Sequence, residues 1–433
     1  MPKVSVIVTA YNIEKYIRDS LDSVIGQTLD DIEIIVVDDG SSDATPDIIR
    51  EYAARDSRIR PILFDRNTIG GVASAANAGM DVATGDYIGF ADGDDLYDPT
   101  MFEKLWQAAE STGSDLAMCR YTLLDESDGS EHEPAETDRW QPFPRRTALD
   151  LTDATRKQML RFISVPWRKI YRRDLVERIN LRFPVGDFFF EDNPFHWAAT
   201  IGGERIVLLP ERLCKHRVAR AGQTMATADE RLLRIFYHHD IIRDWLRQND
   251  AHDGYKDELL RWMAAQLSWV SQRTEGEVQK LLFDRLVPIV AQYNDEDITA
   301  FGHASGRGRT VQMLEQLKHK DFAGFSKAAG WTGTRHPARL PGAAPGGTLL
   351  SRGWYHLRAS GPRQTAVMTS RYLSERFGLG RNMPDNGSPD SSDTIDNTDL
   401  MAAMVILQKE LRLLRAEVAE LRRQSARDDR DPS

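Results

Sequence analysis

The chain has almost no cysteine: Cys119 and Cys214 are the only two in 433 residues. Two thiols that far apart form neither a disulfide framework nor a zinc site, and the count fits a reducing compartment. There is no excess of positive charge either. The formal net charge is −10, which gives no general reason to expect nucleic-acid binding. No stretch approaches the ~18 consecutive apolar residues of a membrane span. The opening Met1-Pro2-Lys3-Val4-Ser5-Val6 runs straight into a strand pattern, without the charged segment and long apolar core of a signal peptide. A cytoplasmic location is therefore expected. Two phosphate-binding signatures are also missing, G-x-x-x-x-G-K-[ST] and a strand-linked G-x-G-x-x-G. P-loop and dinucleotide-binding readings lose their support with them.

What is present begins with size. The length suggests roughly two or three domains, and a hydrophobic content of 41% is ample for a core. Val4 to Val8 is a β-branched run that reads as a buried strand. Asn12 is placed to cap a helix whose stripe is Ile17, Leu21, Val24 and Ile25. Ile32 to Val37 is a second strand, and Thr45-Pro46 opens the next helix. Ile59 to Phe64 is a third strand, Ala73 to Ala83 a small-residue helix, and Tyr87 to Phe90 a fourth strand. Four strand–helix alternations predict an α/β fold: a Rossmann-like, mostly parallel sheet flanked by helices.

Leu124 to Arg146 is polar and acidic and reads as a loop or flap. Patterning resumes from Val165 to about Arg220, and Asp229 to Tyr293 is largely helical. The expected division is a catalytic domain over 1–225, a helical accessory region over 226–300, and a basic, partly irregular accessory region over 301–381. A disordered linker at 382–398 and a helix at 399–425 follow. In that helix Leu400, Met404, Leu407, Leu411, Leu414, Val418 and Leu421 alternate steps of four and three. This is a coiled-coil seam, and it predicts a homo-oligomer.

The chemistry concentrates at Phe90-Ala91-Asp92-Gly93-Asp94-Asp95. An apolar strand ending in three carboxylates delivers acids to the rim of a sheet, where open α/β sheets bind ligands. Like charges packed this tightly need a cation or donors to offset them. The other parallel strands end at Thr9-Ala10-Tyr11-Asn12 and Asp38-Asp39, on the same edge. Tyr11 can cover a nucleobase, and Asp39 can accept from a base N–H or a ribose hydroxyl. Asp92 and Asp94 can hold a sugar hydroxyl and a hard divalent ion, Mn²⁺ or Mg²⁺.

Three segments together resemble the nucleotide-binding half of a family 2 inverting glycosyltransferase with the GT-A fold: Val4 to Asn12, Val36 to Asp43, and Phe90 to Asp95. The resemblance covers the first ~100 residues. It implies that Thr9, Ala10, Tyr11, Asn12 and Asp39 line the donor nucleotide, that Asp92 lies near ribose and sugar, and that Asp94 ligates the metal through the diphosphate. One departure is Ala75-Ala76-Asn77, where the family often carries Ala-Arg-Asn. The implied partners are a nucleotide-sugar donor, with a UDP-sugar expected, and a carbohydrate or lipid-linked acceptor in bacterial surface-polysaccharide synthesis.

Phe188-Phe189-Phe190-Glu191-Asp192-Asn193 resembles the family's ED motif. An inverting transferase needs a general base, and a carboxylate below an aromatic run has its pKa raised by desolvation. Asp192 is assigned that role, with Glu191 supporting it. A plain helix N-terminus accounts for the same acids and is compatible with the role. Trp167 is read as either the floor of an acceptor sugar or core packing. His216, Arg217 and Arg220 to Thr224 fall where the family commonly carries a basic loop over the diphosphate, against a reading as a solvated basic surface loop. His238-His239-Asp240 reads as ordinary helix. Competing functions are nucleotidyl transfer, which lacks its basic Gly-rich triphosphate loop here, and a degenerate transferase domain acting as an oligomeric scaffold. The basic segment from His303 to Arg381 offers a peripheral contact with the inner face of the cell membrane, against a reading as a loosely packed accessory segment.

Overall fold

Val4–Ala10 (β1) is buried along its whole length. That is why its sequence is continuously apolar rather than alternating: both faces of a parallel strand are covered. The computed structural model describes residues 1–219 and 230–331. The expected linker, the coiled-coil helix, the Arg220–Thr224 loop and most of the basic segment lie outside the described residues.

After β1 come α1 (Ile17–Ile25), β2 (Ile32–Asp38), α2 (Thr45–Arg55), β3 (Ile59–Leu63), α3 (Val72–Val82) and β4 (Tyr87–Asp92). This is the alternation expected from sequence, with α2 starting at Thr45 and Pro46 in its first turn. A two-residue strand β5 (Leu96–Tyr97) and α4 (Met101–Thr112) lead to β6 (Leu116–Asp125). Then follow β7 (Glu131–His132), β8 (Thr147–Asp150), α5 (Asp153–Met159), β9 (Lys169–Arg172), α6 (Arg173–Arg178), α7 (Asp192–Gly202) and β10 (Arg205–Val218). The sheet order is β3-β2-β1-β4-β9-β6-β10-β5. β1 to β4 pair in parallel, whereas β9 enters antiparallel between β4 and β6.

Asn12 does not cap α1. It takes a left-handed conformation with φ of 50°, which Asn tolerates better than most residues. Its N–H donates to Ser41 Oγ at 2.8 Å, and its Oδ1 accepts from Ser42 N at 2.8 Å. The loops after β1 and β2 are thereby tied together at the sheet edge.

The segment expected as a flap is anchored instead. Glu136 and Trp140 are buried. Glu136 forms an ion pair with the fully buried Arg168 and accepts from Ile163 N at 2.6 Å and from Trp140 Nε1 at 3.2 Å. A buried guanidinium requires such a partner. Hydrophobic periodicity is blind to a partner 32 residues away.

Between residues 230 and 331 the described chain is largely helical: α8 (Tyr237–Gln248), α9 (His252–Ser271), α10 (Glu277–Val290), α11 (Asp295–Ser305), α12 (Arg309–Lys318) and α13 (Phe322–Ala329). Leu232, Phe236, Met263, Leu286, Leu314 and Phe325 share one core. The described part of the segment expected to be irregular, 301–331, is thus mostly helix. Met1–Thr274 and Val278–Trp331 belong to one packed unit. His238 and His239 bond Phe189 O and Tyr293 Oη, as ordinary helix residues. Both cysteines are buried and free. Among the described residues no helix is long and apolar enough to cross a membrane.

Candidate active site

Parallel register brings the strand ends together. Thr9 pairs with Asp92 on one side and Val37 on the other, and Ala10 pairs with Asp38. Tyr11, just past the edge, is 46% exposed and has a face to offer. Asp39 is buried. Its Oδ2 accepts from Asn67 Nδ2 at 2.7 Å, and its Oδ1 accepts from Thr68 N at 3.1 Å and Thr68 Oγ1 at 2.8 Å. Burial raises its pKa against the pull of the Thr68 bonds. Asn67 and Thr68 escaped the sequence reading because a polar loop after a weak strand carries no pattern of its own. Gly40 is demanded by the same corner: its φ is +71°, and a Cβ there would run into the backbone of Arg66 and Asn67.

The acid turn is built by backbone constraints. Gly93 N–H donates to Thr9 O at 2.9 Å, and a Cβ on Gly93 would sit 2.8 Å from that oxygen. Asp95 N–H donates to Asp92 O at 3.0 Å, closing the turn. β5 then pairs antiparallel with β10, Tyr97 opposite Cys214 and Leu96 opposite Lys215. Asp95, one residue earlier, therefore meets His216. Asp95 Oδ2 lies 2.8 Å from His216 Nδ1, and Asp95 Oδ1 accepts from Arg217 N at 2.9 Å.

Asp92, Asp95 and His216 each present a ligand atom within 4.8 Å of the others. This trio differs from the expected assignment, in which Asp94 ligates the metal. Asp94 lies in the same turn at 7% exposure. Burial, then the charges of Asp95 and Asp94, push Asp92 well above the usual carboxylate range. Burial alone would lower the pKa of His216, but the charge and hydrogen bond of Asp95 outweigh it and hold the imidazole at about 9. The arrangement concentrates negative charge on a turn with one cationic ring against it.

Two expectations change here. Trp167 is 3% exposed. One face of its ring stacks on His216 at 5.1 Å and 15°, and Tyr121 meets it edge-on at 4.7 Å. It supports the imidazole and offers no sugar platform. Arg217 is already engaged by acids and a ring within the chain. Its guanidinium pairs with Glu126 at 2.8 Å and Asp19 at 3.1 Å and lies over Tyr16. The missing family arginine leaves a simple result: Ala76 is buried, and Asn77 pairs with both backbone groups of Phe183, at 2.8 and 3.0 Å.

Asp192 is the first residue of α7, after Phe190 in a left-handed conformation with φ of 68°. Burial raises the Asp192 carboxyl to about 6, against the opposing charge of Lys169. Burial raises Glu191 to about 7, with the Asp192 charge adding to it. The charge of Asp192 is also felt by Asp92. Lys169, fully buried on β9, donates to Ser164 O at 3.0 Å, and burial pulls its pKa far down.

A family profile described as Glycosyl transferase family 2 matches residues 5–179. The chain is 37% identical over 265 residues to the putative glycosyltransferase EpsH of Bacillus subtilis (strain 168), spanning 60% of this chain and 73% of that protein. The chain belongs to glycosyl transferase family 2. This family 2 chain is also 39% identical over 218 residues to the uncharacterized glycosyltransferase EpsJ of the same strain, and spans 61% of its length. Among solved structures, S. aureus TarS 1–349 in complex with UDP-GlcNAc has a TM-score of 0.63 at 22% identity, over 76% of this chain and 90% of that one. The shared feature there is the fold, the GT-A arrangement that the family resemblance implies.

Proposed function

We propose that the protein transfers a sugar, with inversion, from a nucleotide-diphosphate donor to a carbohydrate or lipid-linked acceptor in surface-polysaccharide synthesis. A UDP-sugar is the donor we favour. The observation that carries the reading is the convergence of strand ends at one sheet edge, where Thr9 pairs with Asp92 and Ala10 with Asp38 beside the Asp92, Asp95 and His216 trio; Asp192 is the general-base candidate. Family membership displaces the nucleotidyl-transfer alternative. Tyr11 and Asp39 take the nucleobase, Thr9, Ala10 and Asn12 form the rim beneath the nucleoside, and Asp92 faces ribose and sugar.

The donor set fits a divalent ion: two carboxylates and an imidazole suit Mn²⁺ better than Mg²⁺, which prefers oxygen alone. Asp92, Asp95 and His216 would hold it, the imidazolium giving up its proton on binding, with Asp94 beside them. When bound, such an ion neutralises charge on the departing diphosphate. The chain's own residues do the rest. Asp192 takes the proton of the acceptor hydroxyl as its oxygen attacks the anomeric carbon. The glycosidic electron pair leaves with the nucleoside diphosphate from the opposite face. Glu191 orients the acceptor. An α-linked donor gives a β-linked product. A cytoplasmic enzyme touching the inner membrane face, and self-association through residues 399–425, complete the proposal.

The test is a screen of UDP- and GDP-sugars for Mn²⁺-dependent release of the nucleoside diphosphate. Turnover of one donor supports the reading. A protein that binds nucleotide yet hydrolyses none is the scaffold alternative.

A further inference from the structure

The loop that carries Glu191 and Asp192 is held by the helical region at four points. Arg234 Nη1 donates to Asp187 O at 3.0 Å, and His238 Nε2 lies 2.6 Å from Phe189 O. Phe190 meets Trp269 edge-on at 5.8 Å and 89°. The fourth contact comes from α9: Trp262 Nε1 donates to Asn193 Oδ1 at 3.0 Å. Asn193 is the residue after Asp192, and both ends of its amide are occupied. Oδ1 also accepts from Ser164 Oγ at 2.9 Å. Nδ2 donates to Phe190 O at 2.9 Å and to Asp192 Oδ1 at 3.2 Å.

An amide can turn over, exchanging its oxygen for its nitrogen at nearly the same shape. Its partners decide which end faces where. A serine hydroxyl can donate or accept and so does not decide. An indole N–H can only donate. The Phe190 carbonyl can only accept, so it and the indole N–H fix the amide from opposite ends: Oδ1 on the Trp262 side, the NH₂ toward Phe190 O and Asp192. The opposite orientation would set a carbonyl oxygen against the carboxylate.

We infer that Trp262 is a positioning residue for the reaction: through the Asn193 amide, the helical region holds the carboxylate of Asp192 in place. The inference rests on the reading of Asp192 as the base. The helices after residue 230 then complete the active site rather than decorate it.

The experiment measures nucleoside-diphosphate release, with the full chain and the donor found in the screen, for Trp262→Phe, Asn193→Ala, the double variant and Asp192→Asn. Trp262→Phe keeps an aromatic ring and deletes the donor. It is expected to lower kcat about tenfold, the scale of a small misplacement of a catalytic group, with donor KM unchanged. In the Asn193→Ala background the same substitution is expected to change nothing further, because both act through one amide. An unchanged kcat, or a loss that persists in that background, overturns the inference and leaves Trp262 as packing. Asn193→Asp is an independent probe should Trp262→Phe not fold. It keeps an acceptor for the indole but cannot donate to Asp192, and an unchanged kcat there also overturns the relay. Full activity in Asp192→Asn removes the base assignment itself, a failure distinct from that of the relay.

Discussion

Asp95 and His216 share a hydrogen bond of 2.8 Å across the β5–β10 pair, though 121 positions separate them. The bond gathers both side chains with Asp92 into one ligand trio, and Trp167 backs the imidazole from below. His216→Ala is expected to weaken the Mn²⁺-dependent part of UDP binding by about 10–100-fold, the usual loss when a metal site is damaged. UDP affinity measured in EDTA should not change. Calorimetric titration with and without Mn²⁺ checks this, and equal affinities for parent and variant with Mn²⁺ would remove His216 from the site.

Asp94→Asn separates the two assignments of the acid turn. Family resemblance gives Asp94 the ion, while the geometry gathers Asp92, Asp95 and His216. A carboxylate in the same turn can swing onto an ion bridged by a diphosphate, so Asp94→Asn is expected to abolish Mn²⁺-supported donor turnover. Retained turnover, with Asp95→Asn inactive, would transfer the role to the trio alone.

The buried Glu136–Arg168 pair makes a stability prediction. Arg168→Met leaves a carboxylate buried without its cation, at a cost of about 3–5 kcal/mol. Adding Glu136→Gln should recover a large part, because the stranded charge is then gone. Denaturant unfolding of the single and double variants measures both changes. A double variant as unstable as the single would mean that shape, rather than charge, holds the segment.

That same pair marks the limit of what the sequence discloses. The alternating strands and helices of residues 4–92 are legible because apolar periodicity is local, and parallel order then places Thr9, Asp39 and Asp92 on one edge without further information. The acid turn and Glu191-Asp192 are legible as motifs. Glu136 reads as flap because its partner Arg168 is distant and its own neighbours are polar. The His216–Asp95 contact depends on a two-residue strand too short to announce itself. Trp262 carries no signal as a neighbour of Asp192, since only the docking of α9 brings it to Asn193.

Asp192→Asn tests the base directly. General-base removal costs about 10²–10⁴-fold in rate, so kcat should fall by that amount while UDP affinity with Mn²⁺ stays at the parent value. Loss of both together would instead point to a collapsed donor site.

The raised acids fix the sign of two pH effects. Burial holds Asp192 at about 6 and Glu191 at about 7, each above its ordinary carboxylate value. A base works unprotonated, so kcat should rise with pH up to about 6 and then level, falling about tenfold per unit below it. Stability runs the other way. A carboxyl whose pKa is higher in the folded chain than in the unfolded one binds its proton more tightly when folded. Its stabilising protonation is complete below about pH 4 and is lost as pH rises through about 6 to 7. At pH 8 the parent carries two poorly solvated charges that Asp192→Asn reduces to one. That variant should therefore be more stable than the parent by about 1–2 kcal/mol at pH 8, after discounting for the partial exposure of the site. The gain should vanish near pH 4, where both chains are neutral at this position. Thermal unfolding of parent and variant across that range reads the difference, and a gain that is constant with pH would mean that the carboxylate is not strained at all. A base that destabilises the fold it sits in is what a buried catalytic acid requires, and the opposite slopes of activity and stability identify it.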